Sequence, residues 1–531
     1  FILFYFFCFC FACRHSGSGT FKYNALLWED CPSSKPNASS TTIISTPNAL
    51  KVIANDDGLV FQHLVLGNDV VVETTKVLPT QTPTNQNSTI FLANKSLLIA
   101  AGHVRVKLIT LRPLAVLLFA SGTARQEFDG TGILNAGKII FNSTASFVWE
   151  ESGGTAASIY NSDDAEIIFR FQGTKRFGPF SKASKPYRLT NNGEIIVESG
   201  VNLLPYAVNG NPTVQLDGSG RVIVEAGANW TLPLLQDNRL DMLNFKVDGG
   251  LSAPGSVILP SGFRAVGNGT IRFQSAVGIE HNVTIGVHTY VSSSWTLSSD
   301  AIAQLDDVEL TFGAYLRTAK PVGSAVYFIN RLRDHVERSG ATVHIVNSRV
   351  VIVESMHLGP HTFQLVDANV TCVKTAVCSL ADTKVMAWGG DSTLRIAGSL
   401  HVNSTAASEL TTASASHSLT VHLVAGAKLA LHNKLMLTND AVLRVSKDAT
   451  IVFPCTSSNA SLSYGKASQI VFENGARVQG KPVFDGTPLD LSNTVCVPDC
   501  GYVCPTTTTT TTTTTLCPKP TVTGNSSASH V

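Results

Sequence analysis

Charge is scarce in this chain. Only 15% of its 531 residues are Asp, Glu, Lys or Arg, against roughly 25% in an ordinary soluble domain. The 39 basic and 38 acidic side chains nearly cancel, so there is no field to gather nucleic acid or anionic lipid, and neither is an expected partner. Long apolar runs are missing too. The best internal one, LITLRPLAVLLFA at 108–120, is interrupted by Arg112 and Pro113, so it reads as a buried strand pair or turn and no membrane span is visible. No thiol occurs between Cys31 and Cys372. GxSxG, HExxH, Walker and dinucleotide-binding fingerprints are likewise lacking, and no cofactor is expected.

What is present excludes disorder over most of the length. Hydrophobic residues make up 44% of the chain while methionine is limited to four, and abundant Val, Ile, Ser, Thr, Asn and Gly point to strands and turns.

The ends speak of compartment. Residues 1–12 are an apolar run followed by Arg14, which reads as the hydrophobic part of a secretory signal peptide (1–16) lacking its start. Eleven Asn-x-Ser/Thr sequons, at Asn37, Asn87, Asn94, Asn142, Asn229, Asn268, Asn282, Asn369, Asn403, Asn459 and Asn525, are consistent with an N-glycosylated extracellular surface. Cys496, Cys500, Cys504 and Cys517 cluster at the C-terminal end around the tract Thr506–Thr515. The spacing, with no nearby His, favours a small disulfide-stapled module (491–517) with a Thr-rich stalk over a zinc ribbon. These four are expected to pair among themselves, with Cys372–Cys378 as a further bridge, and residues 518–531 read as a disordered tail.

Between residues 86 and 490 one phrase recurs: a Gly or Asn turn, an apolar strand, a polar break and a second short strand. NGEIIVESGVNLL (192–204), SGRVIVEAGANWTL (219–232) and STLRIAGSLHV (392–402) are examples. Aligned on Gly137, Gly193, Gly220, Gly269 and Ser392, the phrases fall near multiples of about 25 residues, the size of one solenoid coil. Such strands are too short to form stable hairpins alone, whereas stacking coils supplies both backbone partners and a continuous core. About 400 residues therefore make roughly 16 coils, with 17–85 as an N-terminal cap and leading strands. YFINRLRDHVERSG (327–340) stands out as a helix-period segment.

The GxIxVxxGAxLxL cadence resembles the right-handed parallel β-helix proteins of the pectin-lyase-like superfamily, including surface adhesins built on that fold. The resemblance implies an all-β, right-handed parallel β-helix. Many members of that superfamily act on polysaccharides, which the resemblance makes a rival expectation here. The candidates for an acid/base pair are Asp163 and Asp164 in NSDDAEIIF, but adjacent residues alternate across a strand, and a solvated turn is the preferred reading. Gly102-His103-Val104 lacks the second Gly of the family's Gly-His-Gly, and Arg105-Val106-Lys107 stands in the wrong order. Asp306 and Asp307 with Glu309 are the one acidic knot comparable to a calcium site. His344, Glu354, His357 and His361 are a candidate transition-metal set if one coil brings them together, with unpaired surface histidines as the ordinary alternative.

The expectation is a secreted or cell-surface β-solenoid glycoprotein with a structural, adhesive or carbohydrate-contacting role, its partner an extracellular carbohydrate or a cell-surface protein. The rival is a polysaccharide lyase or glycoside hydrolase. That reading requires a groove with at least three convergent charged side chains on adjacent coils.

Overall fold

A computed structural model gives the structure of the chain. It describes residues 12–499 apart from 16–18, 23–40, 45–49, 55–62, 75–87, 101–102, 121–124, 151–156, 180–185, 207–211, 299–300, 311–313, 319–324, 335–341, 404 and 458. The Thr tract, Cys500, Cys504, Cys517, Asn37, Asn87 and Asn525 lie outside the described residues. Over the described residues the protein is all-β, about 66% strand with no helix, and its strands stack in parallel as a β-solenoid of about 16 turns. The chain divides into two compact units, residues 1–272 and 273–531.

In the N-terminal unit each turn from residue 88 to 205 lays down one strand on each of three faces, and from Val214–Val224 onward one long strand spans the first two. Leu108–Leu111, Gly132–Asn135, Ser158–Asn161 and Tyr187–Asn191 stack on the first face. Val116–Ala120, Lys138–Asn142, Glu166–Phe169 and Glu194–Val197 stack on the second. Ser146–Glu150, Gly173–Pro179 and Val201–Pro205 stack on the third. The ladders begin before residue 86, since Thr41–Ile44 pairs with His63–Leu66, and that strand with Thr89–Leu92. Ala12–His15, at the end of the stretch read as a leader, is a strand paired with Thr41–Ile44.

Alternation explains why these segments bury one side. Along Glu194–Val197 the pattern is half-buried, buried, half-buried, buried, as strand geometry requires when one face meets a core. Register partners Ile139, Ile167, Ile195 and Val222 continue one apolar row through successive turns, each contributing about 1.5–3 kcal/mol on burial. Phe119, Phe141 and Phe169 stack with centroids 5.1 and 4.9 Å apart. Phe147 meets Phe141 edge to face at 4.7 Å.

The corners are specified as tightly as the core. A Cβ built on Gly137, Gly193 or Gly220 would collide with the carbonyl oxygen of Ala115, Ala165 or Gly193 in the turn beside it, so these glycines are demanded by close backbone approach. Gly269 belongs to a different corner, beside Gly249. The row through Arg221 continues instead to Asn244 and Arg264. The Gly220-to-Gly269 interval therefore does not measure whole turns. Next to the Gly137 corner, Asn135, Asn161 and Asn191 form a buried ladder, each side-chain amide donating to the next carbonyl oxygen at 2.7 Å.

The C-terminal unit begins with long strands, Val283–Val291, Ile302–Leu310, Val326–Asp334 and Arg349–Leu358, that stack upon one another. Later turns divide this ladder into two, through Asn369–Cys372 and Val377–Leu380. A separate ladder runs through Ser294–Leu297, Tyr315–Thr318, Thr342–Val346, Thr362–Val366, Lys384–Gly389 and Ala407–Thr412. The helix-period segment 327–340, open to reading as an exposed helix or an insertion, is not helical over its described part: Val326–Asp334 is a strand. A register irregularity beside Arg331 leaves buried Ile329 and Leu332 three residues apart, and that spacing imitates a helical period.

Cys372 and Cys378 are bridged across a tight turn. Cys496 is also disulfide-bonded, as is Cys455, which the clustering of cysteines did not single out. Cys496 sits in Thr494–Val497, a strand paired onto Ala476–Gly480, so the parallel ladder extends past residue 490. Segment 108–120 forms two strands, Leu108–Leu111 and Val116–Ala120. Among the described residues, no helix is long and apolar enough to cross a membrane.

Candidate functional site

A groove of about 680 Å³ runs along the second face of the N-terminal unit and the adjoining corner. Parallel register builds it. Lys138, Glu166, Glu194, Arg221, Asn244 and Arg264 are register partners on successive turns, all on the side opposite the Ile139 row. Asp164, Asn192 and Ser219 line the groove from the corner.

Its polar groups are partly tied to one another. Asn192 accepts from the Ser219 backbone N–H at 3.1 Å and donates to the Tyr160 hydroxyl at 3.1 Å. Asn244 donates to the Ser219 carbonyl at 3.2 Å. At the acidic end Lys138 pairs with Glu166 at 2.9 Å. Among the described residues, Glu194 and Arg264 have no ion-pair partner. Arg221 contributes only a longer-range field to Asp248, whose carboxyl is lowered first by the Asn268 backbone N–H and then by Lys246.

Asp163 and Asp164 are both exposed in the turn between Asn161 and Glu166, with Asp164 in the left-handed backbone region at φ 61°. Of the two, Asp164 borders the groove. Glu194 and Arg221 were not singled out from the sequence. They stand in the quoted repeat phrases at outward positions, but their alignment depends on turn lengths.

The acidic knot of the C-terminal unit is separated by strand alternation. Asp306 faces Asn330 at 3.0 Å and Arg331 at 3.5 Å. Asp307 and Glu309 turn to the other side and contact His288 at 2.9 and 3.3 Å. Arg333 donates to Asp307 at 2.6 Å, so the Arg333 guanidinium and the His288 ring occupy the space around both carboxylates.

His344, Glu354, His357 and His361 are not brought together. His344 lies in the Thr342–Val346 strand, its ring stacked on Tyr315 at 4.2 Å; burial lowers its pKa, opposed by a hydrogen bond with Gln364 that favours the protonated ring. His357 contacts the Ser379 hydroxyl at 2.8 Å in another ladder, Glu354 faces Arg331 at 3.9 Å, and His361 is buried at the following corner. The change of face within Arg349–Leu358 and the turn after it carry these groups apart. Among the described residues, no set of three His, Cys, Asp or Glu side chains is placed to hold a metal ion.

The described sequon asparagines, Asn94, Asn142, Asn229, Asn268, Asn282, Asn369, Asn403 and Asn459, are all exposed. The fully buried asparagines of the ladder, Asn135, Asn161 and Asn191, belong to no sequon. No protein-family model, curated protein or solved structure matches this chain.

Proposed function

We propose that the protein is a secreted or cell-surface β-solenoid glycoprotein that binds carbohydrate in the groove lined by Glu194, Arg221, Asn244 and Arg264. The observation that carries this reading is their common register: four polar side chains on four successive turns, at about 4.8 Å per turn, offer both donors and acceptors along one open line. An extended chain rich in hydroxyls suits that arrangement, since each hydroxyl can donate and accept. The test is retention of the purified chain on a panel of immobilised polysaccharides. Glu194→Gln together with Arg221→Gln should weaken retention about 10-fold or more, because hydrogen bonds to charged groups are worth about 1.5–3 kcal/mol each. Unchanged retention would overturn the groove reading.

A second reading, carbohydrate cleavage, is favoured by one feature. Glu166 and Glu194 stand one turn apart, and retaining glycosidases place paired carboxyl groups about 5–5.5 Å apart. Against it, Glu166 is held by Lys138. New reducing ends or unsaturated products that disappear in Glu194→Gln would select the enzyme reading.

Exposure of every described sequon asparagine supports the glycoprotein part of the proposal. Peptide-N-glycosidase treatment of the protein exported from a eukaryotic host should lower its mass. An unchanged mass would remove that part.

A further inference from the structure

The C-terminal unit holds a second feature with no part in the groove. Of the described tryptophans, Trp149, Trp230 and Trp295 are at most 3% exposed, whereas Trp388 is 54% exposed. It stands on Lys384–Gly389, in the ladder that also carries Tyr315 and His344.

The backbone is arranged to present this ring. Against the strand beside it, Leu365 pairs with Ala387 but Val366 pairs with Gly389, so Trp388 is the extra residue of a β-bulge. Bulges re-aim side chains and recur beside binding sites. Gly390 then adopts φ 64°, and a Cβ there would collide with the Asp367 carboxylate. Its N–H donates to His417 Nδ1 at 3.1 Å. The indole is thus displayed from a fixed segment, without a ring contact or side-chain hydrogen bond among the described residues.

The surroundings select the ligand class. A protein interface needs a contiguous apolar centre. Here the outward neighbours include Thr362, Gln364 and the Lys384–Glu409 pair at 3.0 Å, and Asp391 beyond the bulge accepts from Ser418 at 2.7 Å. One exposed aromatic ring, flanked by half-buried Val366 and Met386 and rimmed by donors and acceptors, fits a ligand with a small apolar face and a polar rim, which is the description of a sugar ring. Tyr315, 38% exposed and held by its stack on His344, lies in the same ladder. The register Tyr315, His344, Gln364, Met386 places the two aromatic positions three turns apart, roughly 14 Å along the stack. No sequon asparagine lies on the strands of this ladder from Ser294 to Tyr464.

We infer that Trp388 is the stacking platform of a second carbohydrate subsite, one that takes a neutral sugar ring. Only the ligand class is shared with the groove reading. The site itself stands on separate residues.

The experiment titrates the full chain with cellohexaose, maltohexaose and chitohexaose, following tryptophan emission and calorimetric affinity. At least one hexasaccharide should blue-shift the component of emission that Trp388→Phe removes. Trp388→Ala should lose about 10-fold or more in affinity for it, as expected for an aromatic anchor, with an unchanged melting temperature, while Trp388→Phe keeps part of the binding. Glu194→Gln with Arg221→Gln should leave the emission shift intact. If none of the three sugars perturbs that component, or Trp388→Ala binds as tightly as the parent, the inference falls. Polysaccharide retention that depends on the groove, with no Trp388 response, would remove this inference alone. A Trp388 response with groove-independent retention would remove the groove reading alone.

Discussion

Raising the pH from 7 to 10 should stabilise the N-terminal unit by about 3 kcal/mol, and Lys175→Met should abolish most of that gain. Lys175 is fully buried in the lumen of the solenoid. Its ammonium donates to the carbonyls of Ser143, at 2.8 Å, and Ala145, and to Gln126 Oε1 at 3.3 Å. The Phe141 and Phe171 ring centroids lie 5.6 and 5.5 Å away. Desolvation is the cause that lowers its pKa from 10.5 to about 7. The sign follows from proton counts. Between about 7 and 10.5 the unfolded chain keeps a proton that the native chain releases, so stability rises with pH through that window. Below it both states are charged and the full cost of burying the ammonium is present. The limiting slope is about 1.4 kcal/mol per pH unit, and the carbonyl contacts, which favour the ammonium, bring the total below the limit. Denaturant midpoints at pH 7, 8.5 and 10 for the parent and Lys175→Met isolate this group from other bases that titrate near pH 10. Parallel pH profiles for the two proteins would show that Lys175 is not the source. Lys175→Ala should in addition cost about 3–5 kcal/mol at pH 8, because it leaves both a cavity and unsatisfied carbonyls.

Why Lys175 was invisible in the sequence, while the solenoid around it was legible, is a matter of which residues set the pattern. The apolar phrase EIIV at 194–197 reports its own buried face, because each inward position is filled by Ile or Val. In Gly173–Pro179 the inward parity is shared by Lys175 and Phe177, and a lysine at an inward position is conventionally read as outward. Its acceptors at Ser143 and Ala145 lie on the preceding turn, so nothing local announces them. The groove was hidden for a related reason. Register partners Glu166, Glu194, Arg221, Asn244 and Arg264 are separated by 28, 27, 23 and 20 residues, so a fixed period of about 25 cannot align them. The bulge at Trp388 and the corner within Val326–Asp334 break strict alternation in the same manner. Short corners, rather than strands, set the phase of each turn, and a single sequence does not reveal how many residues a corner consumes.

The buried asparagine ladder supplies the other large effect. Asn161→Asp should destabilise the protein more than Asn161→Ala does, about 4 kcal/mol against about 2. Asn161 Oδ1 accepts from Asn135 at 2.7 Å, while its Nδ2 donates to Asn191 Oδ1 at 2.7 Å and approaches the carbonyls of Ala165 at 3.1 Å and Glu194 at 3.2 Å. Alanine removes these bonds and leaves one amide donor and several oxygens unsatisfied, a cost of about 1–3 kcal/mol. Aspartate keeps the shape but replaces the donor with an acceptor, so that an oxygen faces three oxygens in a site with no solvent. Either the carboxylate is buried charged against those acceptors or it takes up a proton, and both alternatives cost free energy. The aspartate variant should therefore recover stability as the pH falls toward 5, when protonation restores one donor, whereas the alanine variant should follow the parent. Thermal melts at pH 5 and pH 8 distinguish the outcomes. If Asn161→Asp matched Asn161→Ala at both values, solvent would be reaching the ladder and its contribution to stability would be that of an ordinary exposed amide.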